Sequence, residues 1–477
     1  MDKLYGLIPA AGKGTRARPY TSDLPKSMLE INGVPNLQRN IELMRDKLGI
    51  SEIVIITGYL GDVIEERIRD GSQFGVKVQY IRNTELDKGL AWSISLGSRI
   101  IDDYFCVILS DECYIGSNHH ELQTIPYRDV IATCAIKEVD ETKLIQRNYA
   151  VHLKGNRIQR LIEKPQHVEN DILGCGTFIF SPDLFSRLQK AFALSQSGYV
   201  EFVSFLDELC RNGETILPFW LTGSYVNIND RDSLQLAKYH ERSNTFSQQT
   251  KTLLIYSEGS EKNLCFTVQR YQKLVELDSI HLVVPEENTL EELAREIGVS
   301  VIRCPAGVER YGQKIKYALD RIDSDILIIT EADYAFSARD VEKLLAYMKE
   351  ADMVIGTRTT RQLMEQGTDL QGAVRLANVM LAKFMELLWW RFEGRFSDVG
   401  CTFRAVWRSS YLRVRDRLES TGPEFSAEMM LEMLNSRMRV IEIPVNYHNV
   451  SRAMSEKYRN LNTFFSFLLL FIKKRLR

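Results

Sequence analysis

Several protein classes are excluded by what this chain has little of. Its eight cysteines are scattered, with no Cys-x-x-Cys pair and no metal-type spacing. A disulfide framework and a zinc site of the usual kind are therefore not expected, and the cysteines read as reduced thiols of a cytoplasmic protein. The net charge is only −2, so no basic field argues for a nucleic-acid partner. No hydrophobic run is long enough to span a bilayer, and because Met1-Asp2-Lys3 leads straight into a strand-like run, no signal peptide is expected. What remains is 477 residues, 44% hydrophobic and 26% charged, a composition that suits a globular protein of two domains.

Strand-like and helix-like stretches alternate along the chain. In the first half Leu4–Ile8, Glu52–Gly58, Lys77–Asn83, Tyr104–Glu112 and Asp129–Val139 read as strands, with helical pattern over Asn36–Leu48 and Gly61–Arg69. Glu241–Lys251 is polar and nearly free of apolar pattern, which predicts a linker at 243–251. Beyond it the alternation restarts with Thr252–Glu258, Ser279–Glu287, Val299–Pro305, Asp325–Asp333 and Asp352–Arg358. The expected fold is α/β, with two tandem doubly wound, mostly parallel, Rossmann-like domains over residues 1–242 and 252–477. Each domain places acidic residues at the end of a buried strand, Ser110-Asp111-Glu112 and Glu331-Ala332-Asp333. The carboxyl ends of such strands form the ligand crevice, so two crevices are expected.

The first strand runs directly into Pro9-Ala10-Ala11-Gly12-Lys13-Gly14-Thr15-Arg16-Ala17-Arg18-Pro19-Tyr20-Thr21, followed by Leu24-Pro25-Lys26-Ser27-Met28. Glycines let the backbone turn tightly and point bare N–H groups at an anion. Arg16 and Lys26 add mobile positive charge where a triphosphate would lie. The P-loop pattern is not met, because Lys13 is followed by Gly14 and no glycine stands five residues before Gly12. Gly12, Gly14 and Ala17 formally satisfy the dinucleotide fingerprint, but Pro19 would interrupt the helix that should follow. The full string resembles the signature of sugar-phosphate nucleotidyltransferases.

That resemblance extends over roughly residues 3–240 and implies a set of site residues. Ala10, Ala11, Gly12, Gly14 and Thr15 would hold the nucleotide, Asp87-Lys88-Gly89-Leu90-Ala91 looks like the segment against the base, and Asn83 either meets the base edge or is an ordinary strand-end asparagine. Glu163-Lys164-Pro165 matches the motif whose lysine meets the sugar phosphate, and Gly174 and Glu201 resemble sugar-contacting positions. Arg16, Lys26, Asp111 and Lys164 are the implied catalytic residues. In-line attack of a sugar-phosphate oxygen on an NTP joins two anions, so charge neutralisation and positioning dominate. Mg²⁺ is the natural counter-charge; Asp111 is its candidate ligand, with Asn227 second and Asp230 as a substitute.

Residues 252–460 or so resemble family 2 glycosyltransferases, particularly polyprenyl-phosphate sugar transferases. The carrying features are Glu331-Ala332-Asp333, Gly356-Thr357-Arg358, Asp398 to Arg404, Pro423 to Glu428 and Arg452 to Arg459. The resemblance implies Asp333, with Glu331, as the holder of a metal (Mg²⁺ or Mn²⁺) on a nucleotide-sugar diphosphate, and Arg404 and Lys457 as phosphate contacts. The chain departs from the family where Glu331 replaces an aspartate, where Val284-Pro285-Glu286-Glu287-Asn288 stands for an acidic pair, and where Thr402 stands for a glycine.

The expected function is bifunctional: an NTP and a sugar or polyol phosphate give an NDP-sugar and pyrophosphate, and the sugar then passes to a polyprenyl-phosphate or glycan acceptor. The alternative is a nucleotidyltransferase whose C-terminal half is a non-catalytic membrane- or partner-binding module. Phe464 to Ile472, followed by Lys473-Lys474-Arg475-Leu476-Arg477, suits either a helix at the inner face of an anionic membrane or a terminal helix docked on the core. Leu376 to Trp390 carries the same two readings.

Overall fold

The computed structural model describes residues 3–17, 21–257, 264–286, 291–366, 368, 372–389, 395–449 and 461–476. The chain divides into two compact units, Met1–Asn244 and Thr245–Arg477, and each is α/β. The polar stretch from Glu241 is helical as far as Thr245, the end of the helix Arg231–Thr245, and a 3-10 turn follows over Phe246–Gln248.

The first unit contains β1 (Tyr5–Pro9), β2 (Glu30–Ile31), β3 (Val34–Pro35), β4 (Glu52–Thr57), β5 (Lys77–Arg82), β6 (Phe105–Ile108), β7 (Glu112–Ile115), β8 (Ala132–Glu138), β9 (Tyr149–Lys154), β10 (Arg157–Glu163), β11 (Ile172–Phe180), β12 (Ile216–Trp220) and β13 (Ser224–Asn227). The main sheet runs β10-β9-β11-β6-β1-β4-β5, with β8 on β11 and β12 on β8. Strands β6, β1, β4 and β5 are parallel. Every residue of β1 and β6 is buried, because helices cover both faces of this part of the sheet. Beyond β6 the pairing with β11 turns antiparallel.

One predicted strand is broken. The run Tyr104–Glu112 stops at Ile108, turns through Leu109-Ser110-Asp111, and resumes as β7, which pairs antiparallel with β13 and sets Glu112 opposite Asn227. The turn is fixed from the first helix, Asn36–Leu48. Asn36 Nδ2 donates to the carbonyls of Ser110 and Glu112 at 3.0 and 2.8 Å, and Asn40 Nδ2 donates to that of Glu112 at 3.2 Å. Both asparagines are buried, so each satisfies turn carbonyls that no strand partner reaches.

The second unit contains β14 (Lys251–Tyr256), β15 (Ser279–Pro285), β16 (Ser300–Cys304), β17 (Ile326–Glu331), β18 (Met353–Thr357), β19 (Arg404–Trp407) and β20 (Val440–Pro444), ordered β16-β15-β14-β17-β19-β18-β20. Only β19 runs against its neighbours. The helix Leu461–Leu476 lies beside the helices Gly372–Leu388 and Phe425–Asn435. Its Phe467, Leu470 and Phe471 enter the core, and Lys474 follows on the same face to meet Glu428 and Glu432 at 2.8 and 2.7 Å. Among the described residues no helix is long and apolar enough to cross a membrane.

Candidate active site

At the carboxyl ends of β1 and β6 lies a cavity of about 490 Å³. Ten of the predicted residues line it: Ala10, Ala11, Gly12, Gly14, Thr15, Arg16, Lys26, Asn83, Gly89 and Asp111. Gly14 has φ +59°, and a Cβ there would press on Lys26; this is the position where the loop requires glycine. Thr21 Oγ1 donates to the Gly14 carbonyl at 2.8 Å and fixes the turn. Gly89 also has positive φ, +82°, and the Tyr199 ring fills the place of its missing side chain. Asn83 uses its amide within the protein, donating to Ser93 Oγ at 3.0 Å and accepting from the Glu85 N–H at 2.8 Å. It shapes the loop beneath the cavity.

The charged groups converge on one wall. Lys26 Nζ pairs with Asp111 Oδ2 at 2.6 Å and donates to Asn229 Oδ1 at 2.9 Å. Arg16 Nη2 donates to the same oxygen at 3.0 Å. Asn229 thus lines the cavity, where the sequence pointed to Asn227. Asn227 stands one step behind: its Oδ1 accepts from Asn229 Nδ2 at 2.7 Å, and its Nδ2 donates to Glu112 Oε1 and Asn148 Oδ1, both at 3.0 Å. Glu112 is almost fully buried. Burial and the neighbouring Asp111 push its carboxyl up to about 8. Asp230, in contrast, is held below the usual carboxylate range by hydrogen bonds from Ser233, with Oδ1 accepting the Ser233 N–H and hydroxyl at 2.9 and 2.7 Å.

A magnesium ion fits this donor set. Among the described residues no group of three or more His, Cys, Asp or Glu is arranged to hold a metal. Mg²⁺ usually takes one or two protein oxygens and completes its shell with phosphates and water. The Asp111 carboxylate and the asparagine amide oxygens are donors of that kind.

Of the predicted sugar-phosphate residues, Glu163 and Gly174 lie on β10 and β11, Lys164 just after β10, and Glu201 at the start of a helix. Lys164 follows Glu163, the last residue of β10, and has φ +42°. Its N–H donates to the Asn148 carbonyl at 2.8 Å, and its ammonium reaches Glu163 at 2.8 Å while staying exposed. Burial raises the Glu163 carboxyl, partly offset by Lys164. Gly174, on β11, lies against the Tyr149 ring, which leaves no space for a methyl. Glu201 caps the helix Phe202–Arg211, accepting from the Val203 and Ser204 N–H groups at 3.2 and 2.6 Å.

In the second unit Glu331 ends β17, and Asp333 stands two residues on, accepting the Ala335 N–H at 3.0 Å. Arg404 is buried on the adjacent β19; its guanidinium donates to the Ser426 carbonyl at 2.5 Å and to that of Cys401. Arg358 makes a bidentate pair with buried Asp398 at 2.7 and 2.8 Å. Burial, which would raise the Asp398 carboxyl, is outweighed by this arginine. Lys457, with the segment Arg452 to Arg459, Glu287-Asn288 and Trp390, lies outside the described residues.

Part of each half of the chain matches a known family. Residues 5–241 match the family described as Nucleotidyl transferase, and residues 285–413 match Glycosyl transferase family 2. The chain thus carries a nucleotidyl transferase family domain followed by a glycosyl transferase family 2 domain. Among curated relatives, UTP–glucose-1-phosphate uridylyltransferase AglF of Haloferax volcanii is 28% identical over 49% of this chain and 95% of its own length. Glucose-1-phosphate thymidylyltransferase of Streptomyces griseus is 26% identical over 49% of this chain and 65% of its own. The bifunctional protein GlmU of Methanococcus aeolicus is 29% identical over 43% of this chain and 46% of its own. A solved structure of a glucose-1-phosphate thymidylyltransferase from Bacillus anthracis has a TM-score of 0.46 at 22% identity, covering 50% of this chain and 95% of that one.

Proposed function

We propose that the N-terminal unit transfers a nucleotidyl group from an NTP to a sugar-1-phosphate and releases pyrophosphate. The observation that carries this reading is the convergence of Arg16, Lys26, Asp111 and Asn229 on the cavity that the glycine loop lines. A phosphate oxygen of the sugar phosphate bonds to the α-phosphorus while the bond from that phosphorus to the bridging oxygen of the β-phosphate breaks. Negative charge gathers on the departing pyrophosphate, where Arg16 and Lys26 stabilise it. Without nucleotide the Lys26 ammonium rests on Asp111; in the loaded site it turns to phosphate. Asp111 and an asparagine oxygen would hold Mg²⁺ bound with the nucleotide, and the ion would supply neutralisation of phosphate charge. Lys164, exposed beside Glu163, receives the sugar phosphate.

The C-terminal unit then transfers the sugar to a lipid-phosphate or glycan acceptor, with Glu331 and Asp333 at the donor end of β17. Contact with a membrane surface is supported by an apolar stripe that the core does not cover. Leu376, Met380 and Leu387 stand exposed on one helix, and Phe465, Leu469, Ile472 and Leu476 on the helix beside it. Enclosure of Arg404 favours a second reading, a non-catalytic docking module, because that guanidinium is already committed to carbonyls.

Incubation with each NTP, Mg²⁺ and a panel of sugar phosphates is expected to release pyrophosphate for at least one pair; release with none refutes the first reaction. Adding polyprenyl phosphate in vesicles separates the two readings of the second unit. Sugar appears on lipid if it is a transferase, whereas the docking module gives vesicle binding alone.

A further inference from the structure

We propose that Glu112 is a positioning residue for the cationic wall of the cavity, acting through the amides of Asn227 and Asn229. This rests on the nucleotidyl-transfer reading of the site. An asparagine amide has a donor end and an acceptor end, so a chain of amides has a polarity that its termini decide. At the inner terminus Glu112 Oε1 accepts from Asn227 Nδ2 at 3.0 Å, and Asn148 Oδ1 takes the second amide hydrogen at 3.0 Å. Asn227 must therefore turn its oxygen outward, where Asn229 Nδ2 donates to it at 2.7 Å. Asn229 in turn shows its oxygen to Lys26 and Arg16, at 2.9 and 3.0 Å. Both side chains are donors only, so the outer terminus requires the same polarity.

Glu112 and Asn227 are opposite one another in the β7–β13 register. Ile228, the next residue, donates its N–H to the Asp111 carbonyl at 2.8 Å. The relay is thus anchored to the turn that carries Asp111. Without the Glu112 acceptor, only Asn148 Oδ1 holds Asn227 in this sense from the inner end. Whenever Asn227 inverts, Asn229 faces two cations with its amide hydrogens, and Arg16 and Lys26 lose their common anchor.

The test uses the full chain and pyrophosphate release with its best NTP and sugar-phosphate pair. Glu112→Gln keeps an oxygen toward Asn227, while Glu112→Met has similar length and offers none. Expected are kcat within about threefold of the unsubstituted chain for Glu112→Gln and a loss of about tenfold or more for Glu112→Met, with KM for the NTP little changed, in the range of coupling energies for residues of one network. The melting temperature of nucleotide-free Glu112→Met should fall by no more than a few degrees, since one Asn227 amide hydrogen loses its partner while the other keeps Asn148. In an Asn229→Ala background Glu112→Met should cost nothing further. Should Glu112→Met not fold, Asn148→Ala loosens the same amide from its other acceptor and should lower kcat in the same sense. Normal turnover by Glu112→Met, an equal loss in Glu112→Gln, losses that multiply with Asn229→Ala, or a kcat that only follows a lowered melting temperature would each overturn the role. Absence of pyrophosphate release by the unsubstituted chain overturns the reaction itself, a separate failure.

Discussion

Replacing Lys474 by methionine should destabilise the C-terminal unit far more than removal of the neighbouring Lys473. Lys474 is 7% exposed and carries its ammonium into the core, where Glu428 and Glu432 meet it at 2.8 and 2.7 Å and the Arg417 carbonyl accepts at 2.7 Å. Glu428 is fully buried and also accepts from the N–H groups of Glu419 and Ser420. Methionine fills most of the volume but leaves buried Glu428 without a counter-ion, while Glu432 keeps only Arg417 at 3.0 Å; breaking a buried pair in this way costs about 3–5 kcal/mol. For a unit running from Thr245 to Arg477 that corresponds to a fall on the order of 10 °C in melting temperature. Lys473 pairs with Glu419 at 2.9 Å across an exposed surface; Lys473→Met should cost less than about 1 kcal/mol. Urea titrations followed by tryptophan fluorescence, together with thermal melts, compare the two variants. Equal, small effects would show that the terminal helix is docked through its apolar side chains, Phe467, Leu470 and Phe471, rather than through this contact.

Three further outcomes follow from the buried groups and the close contacts. Glu112 holds its proton up to about pH 8 in the folded state and releases it near 4.5 when unfolded. Between those values the folded chain binds more protons, so its contribution to stability falls as pH rises, by up to about 1.4 kcal/mol per unit. Urea titrations of Glu112→Gln from pH 5 to 8 should show a shallower decline; an unchanged slope would contradict the burial argument. Glu442, raised to about 7 by burial although it accepts from the Ser397 and Asp398 N–H groups, should give the C-terminal unit a decline that ends near pH 7, and Glu442→Gln should remove it. Gly174→Ala places a methyl on the Tyr149 ring and should cost roughly 1–3 kcal/mol or more, read as a lowered urea midpoint; a neutral result would mean the ring moves freely.

Local sequence carried much of the fold. The helix Asn36–Leu48 has the bounds its periodicity predicts, and the apolar runs that became β1, β4, β14 and β17 are buried strands of parallel sheets. The loop after β1 announced the cavity because its glycines and cations are consecutive in the chain. What escaped depends on pairing between distant segments. Nothing local in Tyr104–Glu112 reveals that Asn36 and Asn40 turn the chain at Ser110, and Glu112 becomes an inner residue only because β13 lies opposite. The alternation Asn227-Ile228-Asn229 was the available signal for Asn229, since two amides two residues apart at a strand end share a face. Likewise Phe467, Leu470, Phe471 and Lys474 fall on one helical face by spacing alone, which places Lys474 with the core rather than with the basic tail.

The proposed reaction depends on neutralisation of a triphosphate by the glycine-loop cavity during nucleotidyl transfer. Pyrophosphate release by the unsubstituted chain, Asp111→Asn and Lys26→Met, measured side by side at saturating NTP and sugar phosphate, tests it most directly. Each substitution should lower kcat by about 10²-fold or more, the scale for losing one preorganised charge partner, while the melting temperature stays within a few degrees. Turnover that survives both substitutions would contradict the claim.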